Sequence, residues 1–184
     1  MLPEKYKWLL TIGTLPKLVS AALQYLGVRE VPGSQSNPVI IDMAKGLGIS
    51  DIYKNDDVSW CGLFISHLLR ITGKPPLDYK NDKWNILRAR QYLNWGEEVK
   101  LSEARLGDIV VLERTGGGHV FILLAKTKEG NPIGIGGNQS NSVTIAEFDR
   151  YRVLGVRRYY ATGIPESAKQ YVMQPTGQLS SNEA

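Results

Sequence analysis

The chain has one cysteine, Cys61, in the segment Ser59-Trp60-Cys61-Gly62-Leu63-Phe64, where a polar stretch gives way to a long apolar run. The run predicts a helix, so the thiol stands at a helix N-terminus. There, free backbone N–H groups and the positive end of the helix dipole favour a thiolate, one way to activate a cysteine as a nucleophile. A lone cysteine is equally at home as a small buried apolar side chain, and position alone fits both readings.

A nucleophilic thiol needs a base, and the chain offers His67 and His119. His67 follows Cys61 in the same predicted helix, roughly 240° around the axis, and is assigned to packing or solvent. His119 follows Thr115-Gly116-Gly117-Gly118 and opens the apolar strand Val120-Phe121-Ile122-Leu123-Leu124. A histidine at the mouth of a core strand beside a glycine loop is placed to face a cleft, take the thiol proton and later protonate a leaving amine. A strand-end histidine on the surface has the same local sequence.

Asn138, in Gly136-Gly137-Asn138-Gln139-Ser140, carries a carboxamide that can hold an imidazole in one tautomer, as in Cys-His-Asn sites, although Gly-Asn is also common in plain turns. Asp57, Asp108 and Glu113 could orient a histidine too. Trp60, Asp57, Trp95 and Gln139 are the candidates for contacting substrate. Trp84 and Tyr79 could also line a cleft, but aromatic residues at helical spacing more often fill cores.

These residues must be held by elements that the sequence predicts in two blocks. Leu15, Leu18, Val19, Ala22, Leu23 and Leu26 repeat at helical spacing from an N-cap near Thr14 to a stop at Gly27. Helices are expected at about 38–47, from Trp60 to Gly73, and at about 83–94. Beyond residue 105 the pattern becomes strand-like: Ile109–Leu112, Val120–Ala125, Ile133–Ile135, Val143–Ile145 and Arg152–Tyr159, separated by Gly, Asn and Asp turns. Helices first and strands after indicate an α+β fold with an antiparallel sheet. Residues 1–14 read as a short extension, 15–160 as one domain, and the polar, aperiodic 161–184 as a flexible tail.

With 184 residues the chain can bury a core without disulfides or metal. One Cys and two His cannot supply a four-ligand zinc site, no Asp-rich calcium loop is present, and no cofactor is expected. The net charge of +4 mildly favours anionic partners, but no Lys/Arg run of nucleic-acid type occurs. No apolar run reaches the ~20 residues of a membrane span. Near the N-terminus, Pro16 and Lys17 interrupt the apolar stretch after Lys5 and Lys7, which is read as uncleaved. The expectation is a monomer, made in the cytoplasm without a clear signal peptide.

Taken in order, six segments form a pattern: Trp60-Cys61-Gly62-Leu63-Phe64, Tyr92-Leu93-Asn94-Trp95-Gly96, Leu106-Gly107-Asp108-Ile109-Val110-Val111, Gly118-His119-Val120, Gly136-Gly137-Asn138-Gln139-Ser140 with Val143, and Leu154-Gly155-Val156-Arg157-Arg158-Tyr159. The chain, from about residue 15 to 160, resembles the CHAP-like, NlpC-type cysteine hydrolases of phage and bacterial cell-wall enzymes. The resemblance implies a papain-like fold, with a cysteine-bearing helix packed on an antiparallel sheet that bears the histidine. It implies attack on an amide in the peptide part of peptidoglycan, with Cys61 as nucleophile and His119 as base. Asn138 matches the Asn of the Gly-Asn-Gln segment. Some such enzymes place a Glu two positions earlier, where this chain has Gly136, so the orienting role falls to Asn138 or to a backbone carbonyl. The setting implied is a phage endolysin or secreted antibacterial effector, acting in the periplasm or at the wall after export or lysis. An immunity or inhibitor protein, or delivery machinery, is a possible partner. The alternatives are a papain-like hydrolase or deamidase acting on a non-peptidoglycan amide, and a non-catalytic wall-binding module.

Overall fold

Asn37 and Pro38 begin a helix in the way their chemistry favours. The Asn37 side chain accepts from the Val39 N–H at 2.9 Å, and Pro38, lacking an N–H, takes the first turn. In the computed structural model, which describes residues 1–183, this is α2 (Pro38–Gly46). It follows α1 (Lys17–Gln24), which starts after Thr14 because Pro16 keeps an extended backbone as the N-cap. The third helix, α3 (Cys61–Ile71), is buried on every face from Cys61 to Leu69, so its apolar side chains point inward all round and Arg70 marks where it surfaces.

The strands are β1 (Glu97–Val99), β2 (Ile109–Arg114), β3 (Gly117–Lys126), β4 (Pro132–Gly136), β5 (Thr144–Glu147) and β6 (Val153–Arg158). Among the described residues they form one sheet in the order β1-β6-β2-β3-β4-β5, every pair antiparallel. The protein is therefore α+β with a six-stranded antiparallel sheet.

Both faces of this sheet are covered. Val111, Val120, Ile122 and Ile135 join the main core with the three helices. Val110, Leu112, Phe121 and Leu123, from the alternate positions of the same strands, form a second core with Phe148 and Val156 on the far face. That is why β2 and β3 read as continuous apolar runs rather than alternating ones.

Four segments differ from the sequence reading. The expected helix over 83–94 is two 3-10 turns, Lys83–Ile86 and Ala89–Asn94, because Arg88 between them takes an extended conformation and pairs with Asp82 at 2.6 Å. β1 has no apolar alternation. It is held to β6 across Glu98 and Arg157, opposite each other in register and 3.2 Å apart. The N-terminal segment is part of the core, since Tyr6 and Leu9, in the 3-10 turn Glu4–Leu10, are fully buried. Residues 161–183 contain no helix or strand but lie against the domain. Val172 bridges Lys126, Leu179 bridges Glu147, and Tyr171 packs on Trp8 with ring centroids 4.6 Å apart. Among the described residues no helix is long and apolar enough to cross a membrane.

Candidate functional site

Cys61 is the first residue of α3, on the helix-covered side of the sheet. The Gly62 beside it is required. A Cβ there would lie 2.6 and 2.7 Å from the Leu87 and Ile86 carbonyls, so only glycine lets the 86–87 backbone approach the start of the helix. The Tyr92 hydroxyl completes this clamp, donating to the Gly62 carbonyl at 2.6 Å with Ser66 Oγ 2.5 Å away.

The thiol is almost wholly buried, and burial pushes its pKa above the ordinary cysteine value. Four influences oppose that: the Ser59 hydroxyl, the backbone N–H groups of Val120 and Gly62, and the charge of Arg114. Ser59 Oγ lies 3.9 Å from Cys61 Sγ, and Asn138 Nδ2 donates to Ser59 Oγ at 3.2 Å. The thiol is thus a neutral resting group at the floor of a cleft of about 450 Å³. Ser59, Leu87, Arg88, Ala89, Arg90, Arg114 and Gly116 to Gly118 form the cleft's other walls.

His119 lies on the other face of the sheet. It is directly opposite Leu112 in register, and its ring stacks on Phe121 and packs on Phe148, at centroid distances of 5.9 and 5.6 Å. Its Nε2 is 3.1 Å from Gln139 Oε1. The Gln139 amide is oriented by donating to the Thr144 carbonyl and hydroxyl at 2.8 and 3.1 Å. His119 Nε2 is therefore the protonated nitrogen, and Nδ1 carries the lone pair. Among the described residues Nδ1 has no hydrogen-bond partner, and no hydrogen bond joins His119 to Cys61.

Burial holds the His119 pKa down to about 4. Gln139 and the negative charge of Glu183 pull it up, and the charges of Arg152 and Arg114 push it further down. The Glu183 side chain is itself fully buried. Burial raises its pKa, but the hydrogen bond from Arg152, at 2.7 Å, and the nearby charges bring it net below the usual glutamate value. Arg114 Nη1 donates to the Glu183 carbonyl.

The Gly136–Asn141 turn sends two adjacent side chains to opposite faces. Asn138, Ser140 and Asn141 all have positive φ, between 51° and 59°, a conformation few non-glycine residues adopt. The glycines before it make room. A Cβ at Gly137 would meet Trp60 and Phe64 at 2.6 and 2.7 Å, and one at Gly136 would meet Gln139 Oε1 at 2.3 Å. As a result Asn138, read from sequence as the residue orienting the imidazole, reaches the Ser59–Cys61 side. Gln139, read as a substrate contact, holds the imidazole instead.

The remaining candidates fall away from the cleft. Trp60 is fully buried and donates its indole N–H to Glu30 at 2.6 Å. Trp95 is buried and donates to the Pro75 carbonyl at 2.8 Å. Asp57 is exposed on the surface, and it is its neighbour Asp56 that is buried, accepting from the Val31 and Asn37 N–H groups. Asp108 forms a two-point ion pair with Arg158 at 2.7 and 2.8 Å. His67 packs in the core with Nε2 2.7 Å from the Tyr25 hydroxyl, and burial holds it at about pKa 4. Ser59 was missed. A serine two residues before the cysteine was the signal available. Among the described residues no cluster of three or more His, Cys, Asp or Glu could hold a metal ion. Comparison of the chain with models of known protein families gives no match, and comparison with curated proteins gives none.

Proposed function

We propose that the protein is a cysteine hydrolase of papain-like type that cleaves an amide in the peptide part of bacterial peptidoglycan, with Cys61 as nucleophile and His119 as base. The observation that carries the reading is the placement of Cys61: the only thiol of the chain stands at the N-terminus of a buried helix, at the floor of an open cleft. A purely structural cysteine has no need of a cleft, a hydroxyl and two amide N–H groups around its sulfur. The ordered motifs that resemble CHAP and NlpC enzymes supply the substrate class.

In this reading the thiol attacks the scissile carbonyl, and the carbonyl π electrons move to oxygen. The thiol proton passes to His119 Nδ1, the nitrogen left basic by the Gln139 contact. The tetrahedral intermediate collapses, the C–N bond breaks, and the imidazolium protonates the departing amine. Water, deprotonated by the same ring, then splits the thioester and restores the thiol. At rest, thiol and imidazole are both neutral and lie on opposite faces of β3, with the ring packed between Phe121 and Phe148, so this step requires the backbone of β3 to rearrange at His119 and not a rotation of the ring alone.

Incubation of the protein with isolated peptidoglycan tests the reading. Release of soluble fragments with new amino ends by wild type, and not by a folded Cys61→Ala variant, supports it. No release by either overturns it.

A further inference from the structure

His119 is held on the far face of β3 by two short pieces of chain, and one further segment clamps both of them. The first piece is the hairpin from β2 to β3. β3 is in register with β4 only from Ile122 to Lys126, so Gly117 to Phe121 have a partner strand on the β2 side alone. Gly116, Gly117 and Gly118 give this end of the hairpin no side chains to anchor it. The second piece is the Gly136–Asn141 turn, which sets Gln139 against the ring. Residues 176–183 run across both. The Ser180 N–H donates to the Glu147 carbonyl on the edge strand β5 at 2.8 Å, and Thr176 donates its N–H and hydroxyl to the buried Glu147 carboxylate at 2.6 and 3.0 Å. The Ser140 N–H, next to Gln139, donates to the Asn182 carbonyl at 2.9 Å. Arg114, the last residue of β2, donates to the Glu183 carbonyl. The Glu183 side chain is fully buried near His119, and Arg152 holds both its oxygens, at 2.7 and 3.3 Å, while also reaching the Ser180 carbonyl at 3.0 Å.

We propose that residues 176–183 are an inhibitory strap: with Glu183 seated on Arg152, the hairpin and the Gly136–Asn141 turn are locked together and His119 is kept from Cys61. The proposal deepens the hydrolase reading and rests on it. That reading requires the backbone of β3 to rearrange at His119, and the strap holds the segment that has to move. The carboxylate also opposes the reaction electrostatically, because a proton taken up by the ring is stabilised by Glu183 on the face away from the thiol. The hold is of a releasable kind. Among the described residues the strap contains no helix or strand, and its one large apolar side chain, Leu179, is exposed. Arg152 is 25% exposed, so water reaches the guanidinium when the pair opens. Segments with little apolar burial open while the core stays folded, so the wild type is slowed by its strap and not silenced.

Hydrogen exchange and fragment release test the strap on the full chain with two variants. Glu183→Lys sets like charge against Arg152 and Arg114, and Glu183→Gln keeps the shape and removes only the charge. In Glu183→Lys, amide exchange of residues 176–183 rises, and exchange of 117–120 and 136–141 rises with it by about tenfold or more, while α2 stays as protected as in wild type. Glu183→Gln shows the same pattern at smaller amplitude and answers the question if the lysine variant does not fold. Faster exchange in 176–183 alone, or in neither variant, overturns the strap and leaves the hydrolase reading standing. On isolated peptidoglycan both variants release fragments several-fold faster than wild type, Glu183→Lys the more, and adding Cys61→Ala to Glu183→Lys abolishes release. Release by the folded variants at or below the wild-type rate overturns the strap alone. Release by no protein, wild type included, overturns the hydrolase reading and the inhibitory role with it.

Discussion

Gln139 Oε1 accepts from His119 Nε2 at 3.1 Å, and the same amide is tied by its nitrogen to Thr144, so one side chain selects the tautomer of a fully buried histidine. Replacing Gln139 by Leu removes the acceptor of the buried imidazole N–H and one donor to the Thr144 carbonyl. The expected loss is about 1–3 kcal/mol of stability, read by urea denaturation. Replacing it by Glu sets a negative charge against the ring and raises the His119 pKa from about 4 toward neutrality, read by NMR titration of the ring protons. A titration unchanged in Gln139→Glu contradicts the contact.

Acid stability follows from the two buried histidines. Both have folded-state values of about 4 against 6.5 for the free side chain. Between those values the unfolded chain binds more protons than the folded one, so stability is complete above pH 6.5 and falls as the pH drops toward 4. For His119 the loss reaches about 2 kcal/mol by pH 5, taking about 1.4 kcal/mol for each unit below 6.5. Urea midpoints measured from pH 7 to 4.5 should fall less steeply in His119→Gln than in wild type. Parallel curves would show that the imidazole is not held neutral.

The Ser59 hydroxyl lies 3.9 Å from the thiol sulfur and opposes the effect of burial. In Ser59→Ala the thiol pKa rises further. Alkylation by iodoacetamide at pH 8 then slows roughly a few-fold, with the pH–rate profile displaced to higher pH. An unchanged or faster rate argues that Ser59 does not support the thiolate.

The helices and most strands were legible because their apolar side chains repeat at the period of the element that buries them. The facing of His119 was not. In β3 both Val120, Ile122 and Leu124 and the alternate Phe121 and Leu123 are apolar, since the two faces of the sheet are each covered by a core. A strand buried on both sides carries no signal of which face meets the cysteine helix. The partner of the imidazole was hidden for a related reason. Asn138 and Gln139 are both carboxamides, and only the left-handed turn around them decides which goes to which face. β1 stayed invisible because Glu97 and Glu98 owe their strand to arginines distant in sequence on β6. Trp60 looked like a cleft residue, but its burial is set by Glu30 and Gly137, also remote in the chain.

In the proposed function Cys61 carries the chemistry of a peptidoglycan-cleaving enzyme. The most direct measurement is mass spectrometry of the soluble products from isolated peptidoglycan treated with wild type, Cys61→Ala and His119→Ala. The account predicts fragments from wild type that have gained one water per cut amide, with a new amine and a new carboxylate at one defined bond. It predicts none from Cys61→Ala, and release lowered by about a hundredfold or more from His119→Ala. Equal fragment release by Cys61→Ala, or none by folded wild type, contradicts it.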